Sequence, residues 1–319
     1  MENIAKKLDK FCDKKIVVLG DIILDKYLVG NVTRISPEAP VPVLEVVKET
    51  YSLGGAANVA NNIVSLGARA SLFGVIGIDD YGNKLSEIVK LNYIHFFPYY
   101  DGRQTTVKVR MVAGTQQLLR CDYEVKNKID EKTRFFILKD ICDEIDNADA
   151  LILSDYDKGV LEDHLCPVLI NNAKVKGKLI VAMPKPSNIN NFHNVNTISQ
   201  NHHEAETISG VSYNGLESLI KIGEKITNNY NTNNVVITCG KEGAFFYNKE
   251  GYKMVPTFAK EVYDVTGAGD TFLAALTLAL VSNFNLEEAL TIANHAAGIK
   301  VGKVGVAAIT LDELKGCFK

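Results

Sequence analysis

The segment 264–270, with the sequence DVTGAGD, combines a flexible turn, a helix start and a carboxylate. Gly267 and Gly269 allow the backbone to bend and to approach a ligand closely. The apolar run 272–280 that follows predicts a buried helix. Unpaired N–H groups and the positive end of the helix dipole favour an anion, such as a phosphoryl group, at this turn. Because Asp270 would repel that phosphate, its carboxylate indicates a general base that takes a proton from an attacking hydroxyl.

Taken alone, this segment also has a simpler interpretation. Asp270 could cap the helix, and Gly-Ala-Gly could form an ordinary strand-to-helix turn. Two other nucleotide motifs are excluded, because Phe272 stands where the dinucleotide fingerprint needs a third glycine and the Gly-Lys-Ser/Thr of a Walker loop is missing. A phosphate-binding turn and a structural turn therefore both remain open on these residues.

Short β-branched runs alternate with helical patterns along the chain and predict the elements that position this turn. Buried strands are predicted at 15–20, 150–154, 178–182 and 234–238, and helices at 57–66, 135–145 and 216–226. This alternation predicts an α/β fold with a mostly parallel sheet covered on both faces. Ligands bind beyond the carboxyl ends of the strands in such sheets. Asp21, Asp155 and Gly240 fall at those predicted ends.

Two stretches, at about 26–50 and 104–124, have a different pattern. They are rich in alternating Val, Thr, Arg and Gln, which is typical of antiparallel strands with one exposed face. We predict a small second sheet from these stretches, and an ordinary edge hairpin is the alternative.

The composition limits the classes of partner. The 319 residues are 46% hydrophobic and 23% charged, which is enough to bury a large core, and the net charge is -3. This charge argues against nucleic acid or an acidic membrane surface as a partner. The apolar runs fall short of the roughly 20 residues that span a membrane, and no signal-peptide core follows the first residues, so we expect a cytoplasmic protein. The six cysteines form no C-x-x-C pair, which predicts reduced thiols.

The segment 264–270 resembles the C-terminal Asp-Thr-x-Gly-Ala-Gly-Asp signature of the ribokinase-like (PfkB) carbohydrate kinases. The segment 54–60 (GGAANVA) resembles the family's Gly-Gly-x-x-x-Asn stretch, which holds the sugar. The segment 201–204 (NHHE) is similar to the Asn-x-x-Glu that lies near magnesium and the nucleotide phosphates. The resemblance spans nearly the whole chain. It implies a ribokinase-like three-layer sandwich with a mostly parallel central sheet, a small β-sheet lid, and the use of ATP and Mg²⁺.

Four further segments resemble the heptose 7-phosphate kinases of this family, namely 20–27, 34–43, 116–120 and 153–159. This resemblance implies ATP-dependent phosphorylation of D-glycero-D-manno-heptose 7-phosphate at its anomeric hydroxyl, in the synthesis of ADP-heptose for lipopolysaccharide. It also implies a homodimer in which the lids of two subunits clasp each other. In many relatives a nucleotidyltransferase domain follows the kinase. We expect a single kinase domain over 1–319 here, without that second domain.

The resemblance also implies roles for individual residues. In catalysis, Asp270 is the expected base, and the N–H groups around Gly267, Ala268 and Gly269 form the expected anion hole. The expected nucleotide-binding residues are Asn201, His202, His203, Glu204, Thr238, Gly240, Gly243 and Asn294, with Glu204 reaching Mg²⁺ through water. The expected sugar contacts are Asp21, Gly54, Gly55, Asn58, Arg110 and Gln117. Candidates for the acceptor's 7-phosphate are Arg34, Lys108, Arg110, Arg120 and Lys185, which the sequence does not rank. Asp21 and Asn58 could instead cap a helix or a turn, and the histidines could be polar lining only.

Two positions depart from the heptose kinase pattern. The segment 183–186 is Met-Pro-Lys-Pro where those enzymes usually have Asp-Pro-Lys-Gly, and Gln200 replaces a usual Pro. The missing acid leaves two alternatives open: a kinase of the same family that acts on another sugar or sugar phosphate, or a sugar-phosphate-binding protein that has lost catalysis. Neither change touches Asp270 or its glycines, so kinase chemistry is better supported than heptose specificity.

Overall fold

The computed structural model describes residues 2–114, 116–258, 264–303 and 308–318. The strands are β1 (Lys15–Gly20), β2 (Ile22–Ile35), β3 (Pro42–Gly55), β4 (Arg69–Val75), β5 (His95–Tyr99), β6 (Val107–Ala113), β7 (Gln116–Tyr123), β8 (Ala150–Ser154), β9 (Leu179–Met183), β10 (Thr197–Asn201), β11 (Asn234–Thr238), β12 (Ala244–Asn248) and β13 (Gly251–Val255). The helices are α1 (Glu2–Lys7), α2 (Ala56–Ser65), α3 (Asp80–Leu91), α4 (Glu131–Glu144), α5 (Cys166–Val175), α6 (His202–Ser209), α7 (Leu216–Tyr230), α8 (Ala268–Val281), α9 (Leu286–Val301) and α10 (Leu311–Gly316). The predicted strands and helices are confirmed, with some ends shifted by a few residues.

Within the described residues, nine strands form the central sheet in the order β13-β12-β11-β10-β9-β8-β1-β4-β5. From β5 to β11 each neighbouring pair is parallel, and β12 and β13 complete one edge in antiparallel pairing. The parallel pairing brings the carboxyl ends of β1, β8, β10 and β11 to the same edge of the sheet. The mostly parallel sheet predicted from the sequence is therefore confirmed.

The two faces of the central sheet carry separate apolar cores. Side chains alternate across a strand, so Ile16 and Val18 of β1 pack with α2, α8 and α9. Val17 and Leu19 of the same strand pack with α4, α5 and α7 on the opposite face. Because helices cover both faces, the sheet is buried, which confirms the predicted three-layer α/β sandwich.

A second sheet, of four strands in the order β3-β2-β6-β7, stands beside the central sheet. Its outer pairs are antiparallel, and β2 and β6 pair in parallel. The stretches at about 26–50 and 104–124 contribute these strands, except Thr115, which lies outside the described residues. Since β2 follows β1 directly and β3 runs into α2, the base of the second sheet is fixed next to the carboxyl end of β1.

Helix α8 is the most buried helix of the structure, with every residue from Asp270 to Ala279 buried. A helix that is apolar on all sides belongs inside a core. Its position between α2 and α9 therefore fixes the helix start, and the segment that precedes it, with little freedom to shift. No helix in the described parts of the chain has the length and apolar character needed to cross a bilayer.

Candidate active site

The turn before α8 has the geometry of an anion-binding helix start. Gly267 is the N-cap with a φ of 75°, and a Cβ there would lie 2.7 Å from Nδ2 of Asn58, so the position needs glycine. The Asp264 carboxylate accepts a hydrogen bond from the N–H of Thr266 at 2.8 Å and holds the turn from the other side. The first N–H groups of an α-helix have no intrahelical acceptor. The N-terminus of α8 can therefore receive a phosphoryl group.

Asp270 lies in the first turn of α8 and is only 8% exposed. Asn58 on α2 donates a hydrogen bond from Nδ2 to its Oδ2 at 2.7 Å. The hydroxyl of Tyr156 donates to its Oδ1. Burial raises the pKa of Asp270 to about 6, although the hydrogen bonds from Tyr156 and Asn58 lower it. The carboxylate is ionised at neutral pH but close to its pKa, which suits a general base.

A small cavity of about 160 Å³ lies in front of Asp270. It is lined by Ile23, Asp25, Gly54, Gly55, Asn58, Lys108, Arg110, Tyr156, Thr266, Gly267, Gly269 and Asp270. These residues come from the second sheet, the start of α2, the loop after β8 and the turn before α8. The structure thus brings together seven of the residues that the sequence assigns to catalysis or sugar binding: Gly54, Gly55, Asn58, Arg110, Gly267, Gly269 and Asp270.

A large cavity of about 420 Å³ lies on the other side of the same turn. It is lined by Thr238, Gly240, Lys241, Gly243, Thr257, Val265, Ala268, Gly269, Phe272, Asn294, Ala297, Gly298 and Val301. Four of the residues predicted to bind nucleotide are among them: Thr238, Gly240, Gly243 and Asn294. Apolar side chains with a few polar groups at the rim suit a flat heterocyclic base. Gly269 lines both cavities, so the start of α8 is the place where their contents would meet.

The segment 201–204 lines neither cavity. Asn201 and Glu204 form a capping box at the start of α6, in which each side chain binds the backbone N–H of the other. Glu204 also forms an ion pair with Lys185, whose Nζ lies 5.7 Å from the ring centroid of Tyr156. His203 is exposed, whereas Nδ1 of His202 is buried without a hydrogen-bond partner among the described residues. A chain of contacts therefore leads from Asp270 through Tyr156 and Lys185 to Glu204.

Asp21 is not in the wall of the small cavity. Its carboxylate is 1% exposed and accepts the backbone N–H groups of Tyr156, Lys158 and Val160 at 2.8, 3.1 and 3.2 Å. Burial, together with the nearby Asp155 carboxylate, raises the pKa of Asp21 to about 6. Asp21 therefore fixes the loop that carries Tyr156, instead of facing the cavity as the sequence-based assignment expects.

Asp25, which the sequence reasoning missed, lines the small cavity instead. It is 5% exposed and accepts a hydrogen bond from Nη1 of Arg110 at 2.5 Å. A charged residue directly after the apolar run 22–24 is the signal that could have identified it, because buried carboxylates need a partner or a ligand. Gln117, another predicted sugar contact, is exposed on β7 and lines neither cavity.

The two unusual positions both make hydrogen bonds, although Oε1 of Gln200 is buried without a partner among the described residues. The Met183 carbonyl accepts the N–H of Asp155 at 3.1 Å. Gln200 is 2% exposed, and its Nε2 donates to the carbonyl of Pro184 at 2.6 Å. The Asp155 carboxylate in turn accepts the N–H of Lys185 at 2.8 Å. The segment 183–186 is thus held in place by its backbone, and Lys185 keeps its position near Tyr156.

Comparisons with known proteins identify the family of the chain. A family model described as "pfkB family carbohydrate kinase" matches residues 13–313. The chain is 41% identical over 303 residues to the "Bifunctional protein HldE" of Helicobacter acinonychis, and 38% identical over 311 residues to the protein of the same name from Sulfurimonas denitrificans. These alignments cover 94% and 97% of this chain. The chain spans 65% of the length of each of these relatives.

Solved structures show the same fold at low sequence identity. The phosphofructokinase-2 of Escherichia coli in complex with fructose-6-phosphate has a TM-score of 0.77 at 18% identity, covering 95% of this chain and 97% of that one. The ribokinase of Arabidopsis thaliana complexed with ribose and ATP has a TM-score of 0.76 at 18% identity, covering 96% and 99%. The ribokinase-like fold implied by the sequence is therefore confirmed.

Proposed function

The chain belongs to the pfkB family of carbohydrate kinases, and from that membership we propose that it transfers the γ-phosphate of ATP to D-glycero-D-manno-heptose 7-phosphate. The acceptor is the anomeric hydroxyl, and the product is the 1,7-bisphosphate used in ADP-heptose and lipopolysaccharide synthesis. The observation that carries the kinase proposal is the start of α8, where one helix N-terminus and one buried carboxylate stand between the two cavities. The heptose assignment is supported by the four segments that resemble heptose kinases.

Asp270 acts as the general base in this proposal. The anomeric hydroxyl lies in the small cavity, gives its proton to the Asp270 carboxylate, and attacks the γ-phosphorus as the bond to the β-phosphate oxygen breaks and ADP leaves. Asn58 keeps Oδ2 of Asp270 fixed through its 2.7 Å hydrogen bond. Oδ1, which also accepts the Tyr156 hydroxyl, takes the proton in this proposal. Fixing the base in this way removes orientational freedom from the transfer step.

The start of α8 stabilises the charge that develops on the transferred group. In this proposal the N–H groups near Gly267 and Gly269, added to the helix dipole, bind the transferred group, whereas the Ala268 N–H donates to the Val265 carbonyl at 3.2 Å. Because the N-cap geometry is fixed by Gly267 and the buried helix behind it, these groups need little rearrangement during the reaction. Electrostatic stabilisation of this kind is the main contribution of proteins to phosphoryl transfer.

The residues near Glu204 fit a magnesium ion held mostly through water. Mg²⁺ prefers oxygen ligands and keeps much of its hydration shell. The Glu204 carboxylate lies at the carboxyl edge of the sheet, where Lys185 and the N–H of Asn201 hold it in place. It offers the ion an oxygen ligand and leaves the other coordination positions to water. When bound, the ion would neutralise phosphate charge. Glu204 would hold it, and Lys185 would keep the carboxylate oriented.

The test is ADP release with Mg²⁺ and ATP, measured for D-glycero-D-manno-heptose 7-phosphate beside fructose 6-phosphate and ribose. Turnover that is fastest with the heptose phosphate supports the proposal. Turnover with another sugar only would retain the kinase and reject the heptose assignment. If no sugar releases ADP while calorimetry shows that heptose 7-phosphate binds, the protein is a binding protein and the kinase proposal fails.

Replacing Tyr156 by Phe should move the pH dependence of the reaction. In the wild type we expect kcat/KM to fall below a pH of about 6, as Asp270 takes up a proton. The Tyr156 hydroxyl lowers the pKa of Asp270, so its removal should shift this fall to higher pH. Tyr99→Phe is the matched control, because it removes a tyrosine–aspartate hydrogen bond to Asp140 far from the cavities. An unchanged acid limb in Tyr156→Phe would show that this hydroxyl does not tune the base.

We also propose that the described chain is one kinase domain whose second sheet is a lid, and that two lids pair in a homodimer. The second sheet and the turn between β2 and β3 expose apolar side chains that a partner could cover, among them Ile35, Val41, Val46, Val47 and Leu119, with Val47 at 70%. Exposed apolar side chains on one small sheet support an interaction site there.

Introducing a charge at Val47 should break that dimer. We expect the wild type to sediment at twice the 35.0 kDa chain mass and Val47→Glu at the monomer mass, because a buried unpaired charge is strongly unfavourable at an interface. Val175→Glu is the control, since Val175 is 80% exposed on α5, away from the lid. A wild type that sediments as a monomer, or a Val47→Glu variant that stays dimeric, would reject pairing through this surface.

A further inference from the structure

Lys300 is the most deeply buried of the lysine and arginine side chains that the structure describes. It lies in the last turn of α9 and is 1% exposed. Lysine is almost never buried to this extent unless negative charge lies close by. Lys303, just beyond the same helix, shows the usual behaviour of a lysine at a helix end, because its ammonium binds Glu313 at 2.7 Å near the surface. The burial of Lys300 therefore needs a cause that the helix end alone does not supply.

The side chain of Lys300 lies next to the turn before α8. A Cβ at Gly267 would lie 3.7 Å from Cε of Lys300, so the far end of the lysine reaches the N-cap of α8. The carbonyl of Val301, the next residue of α9, accepts the N–H of Asp264 at 3.3 Å. Lys300 itself lines neither cavity. The end of α9 thus supports the turn from inside the protein.

Two carboxylates surround the turn with negative charge that opposes a phosphate. Asp264 begins the turn, and Asp270 follows it in the first turn of α8. Burial lowers the pKa of Lys300, whereas the charges of Asp264 and Asp270 raise it by favouring the ammonium. The N-terminus of a helix contributes only about half a positive charge. A fixed ammonium next to the turn offsets one of the carboxylates and leaves the helix N-terminus available to a phosphoryl group.

We propose that Lys300 is a positioning residue for phosphoryl transfer, an internal cation that keeps the turn before α8 able to bind the transferred group. The inference rests on the proposed function, since it needs a phosphoryl group at the start of α8. Lys300 lines neither cavity, so its effect reaches the reaction through the turn. Because its charge is fixed before the reaction begins, it stabilises the transition state without reorganisation.

The experiment compares the wild type with Lys300→Met, which keeps the length of the side chain without its charge. ADP release is measured with ATP, Mg²⁺ and D-glycero-D-manno-heptose 7-phosphate, or with another sugar if the wild type turns over only that one. We expect kcat to fall about 10–100-fold, while the KM values for ATP and acceptor stay within about threefold. Lys303→Met is the matched control, because it removes the same charge just beyond the same helix, and its kcat should stay within about twofold of the wild type.

Binding of a transition-state mimic separates this role from a purely structural one. ADP, Mg²⁺ and aluminium fluoride together imitate the transferred phosphoryl group, and transition-state analogues report interactions that the ground state lacks. Calorimetry in the presence of the acceptor should show this complex about 10–100-fold weaker in Lys300→Met, with ADP alone bound as in the wild type. If Lys300→Met does not fold, Lys300→Gln, which retains a hydrogen-bond donor, is used for both measurements with the same expected losses.

Three results would overturn the inference while leaving the kinase proposal intact. The first is an unchanged kcat in the Lys300 variant. The second is equal weakening of ADP with and without aluminium fluoride, which would give Lys300 a structural role. The third is an equal loss in Lys303→Met, which would reduce the effect to net charge. Failure of the proposed function gives a different result, because the wild type itself then releases no ADP with any sugar, and the inference is rejected with it.

Discussion

Asp270→Asn should lower kcat by about 10²–10⁴, the usual contribution of a general base, with little change in the KM for the acceptor. The amide keeps the shape of the side chain. It can still accept the hydrogen bond from Asn58 and can donate to the Tyr156 oxygen, so the cavity wall should remain intact. The rate of ADP release in the presence of ATP, Mg²⁺ and the acceptor measures this effect. The size of the loss distinguishes a base from a helix cap, because asparagine caps a helix about as well as aspartate does.

Asp130→Asn is the matched control for this substitution. Asp130 is a helix N-cap whose carboxylate accepts the N–H of Thr133 at 2.6 Å at the start of α4, and it lines neither cavity. We expect activity within about twofold of the wild type there, because asparagine replaces the cap. If Asp270→Asn also retains more than a tenth of the wild-type kcat, the proton goes to another group, and the interpretation of Asp270 as the base is wrong.

The stability of Asp270→Asn gives an independent readout. Burial raises the pKa of Asp270 to about 6, above the value near 4 of an unfolded aspartate. The folded state therefore holds this proton more tightly, and the side chain's contribution to the free energy of unfolding is lost as the pH rises from about 4 through 6. An asparagine side chain does not titrate, so the variant does not lose stability in this way. The variant should gain stability relative to the wild type over that interval, in a series of urea unfolding curves.

Most helices and strands could be predicted from the sequence, because a buried element has a distinctive apolar pattern. The strand at 15–20 is apolar on both faces, and the run after Asp270 is apolar all round, so each could only be a core element. The N-terminus of α8 followed from two glycines and the apolar run alone. Its two cavities could not follow from sequence, because they are formed by segments more than 200 residues apart, such as those of Asn58 and Asp270.

The prediction was less specific where two similar residues compete for one role. Asp21 and Asp25 both lie near the carboxyl end of β1, and a motif alone does not say which one faces the sugar. The direction of each side chain depends on the turn between β1 and β2 and on the loop at 155–160, which is distant in sequence. Tyr156 was missed for a related reason, since its hydroxyl meets Asp270 only after that loop is fixed by Asp21.

Asp21→Ala should reduce the free energy of unfolding by about 3–5 kcal/mol. The substitution leaves three buried backbone N–H groups, those of Tyr156, Lys158 and Val160, without their acceptor. Each unsatisfied buried group costs about 1–3 kcal/mol, and partial entry of water reduces the sum. Urea unfolding at neutral pH measures the change. Asp21→Asn should lose less, since its carbonyl oxygen can still accept from part of the loop.

The kinetic consequence separates a positioning role from direct sugar binding. If Asp21 holds the loop that carries Tyr156, its loss should lower kcat, because Asp270 loses a fixed hydrogen-bond donor, and added salt or higher acceptor concentration should not restore the rate. A sugar ligand would give the opposite pattern, in which stability is unchanged and saturating acceptor recovers the wild-type kcat. That result would make Asp21 a sugar-binding residue, as the family resemblance implies. The loop at 155–160 would then have to be held by other contacts, such as those of Asp155 with Asp157 and Asn188.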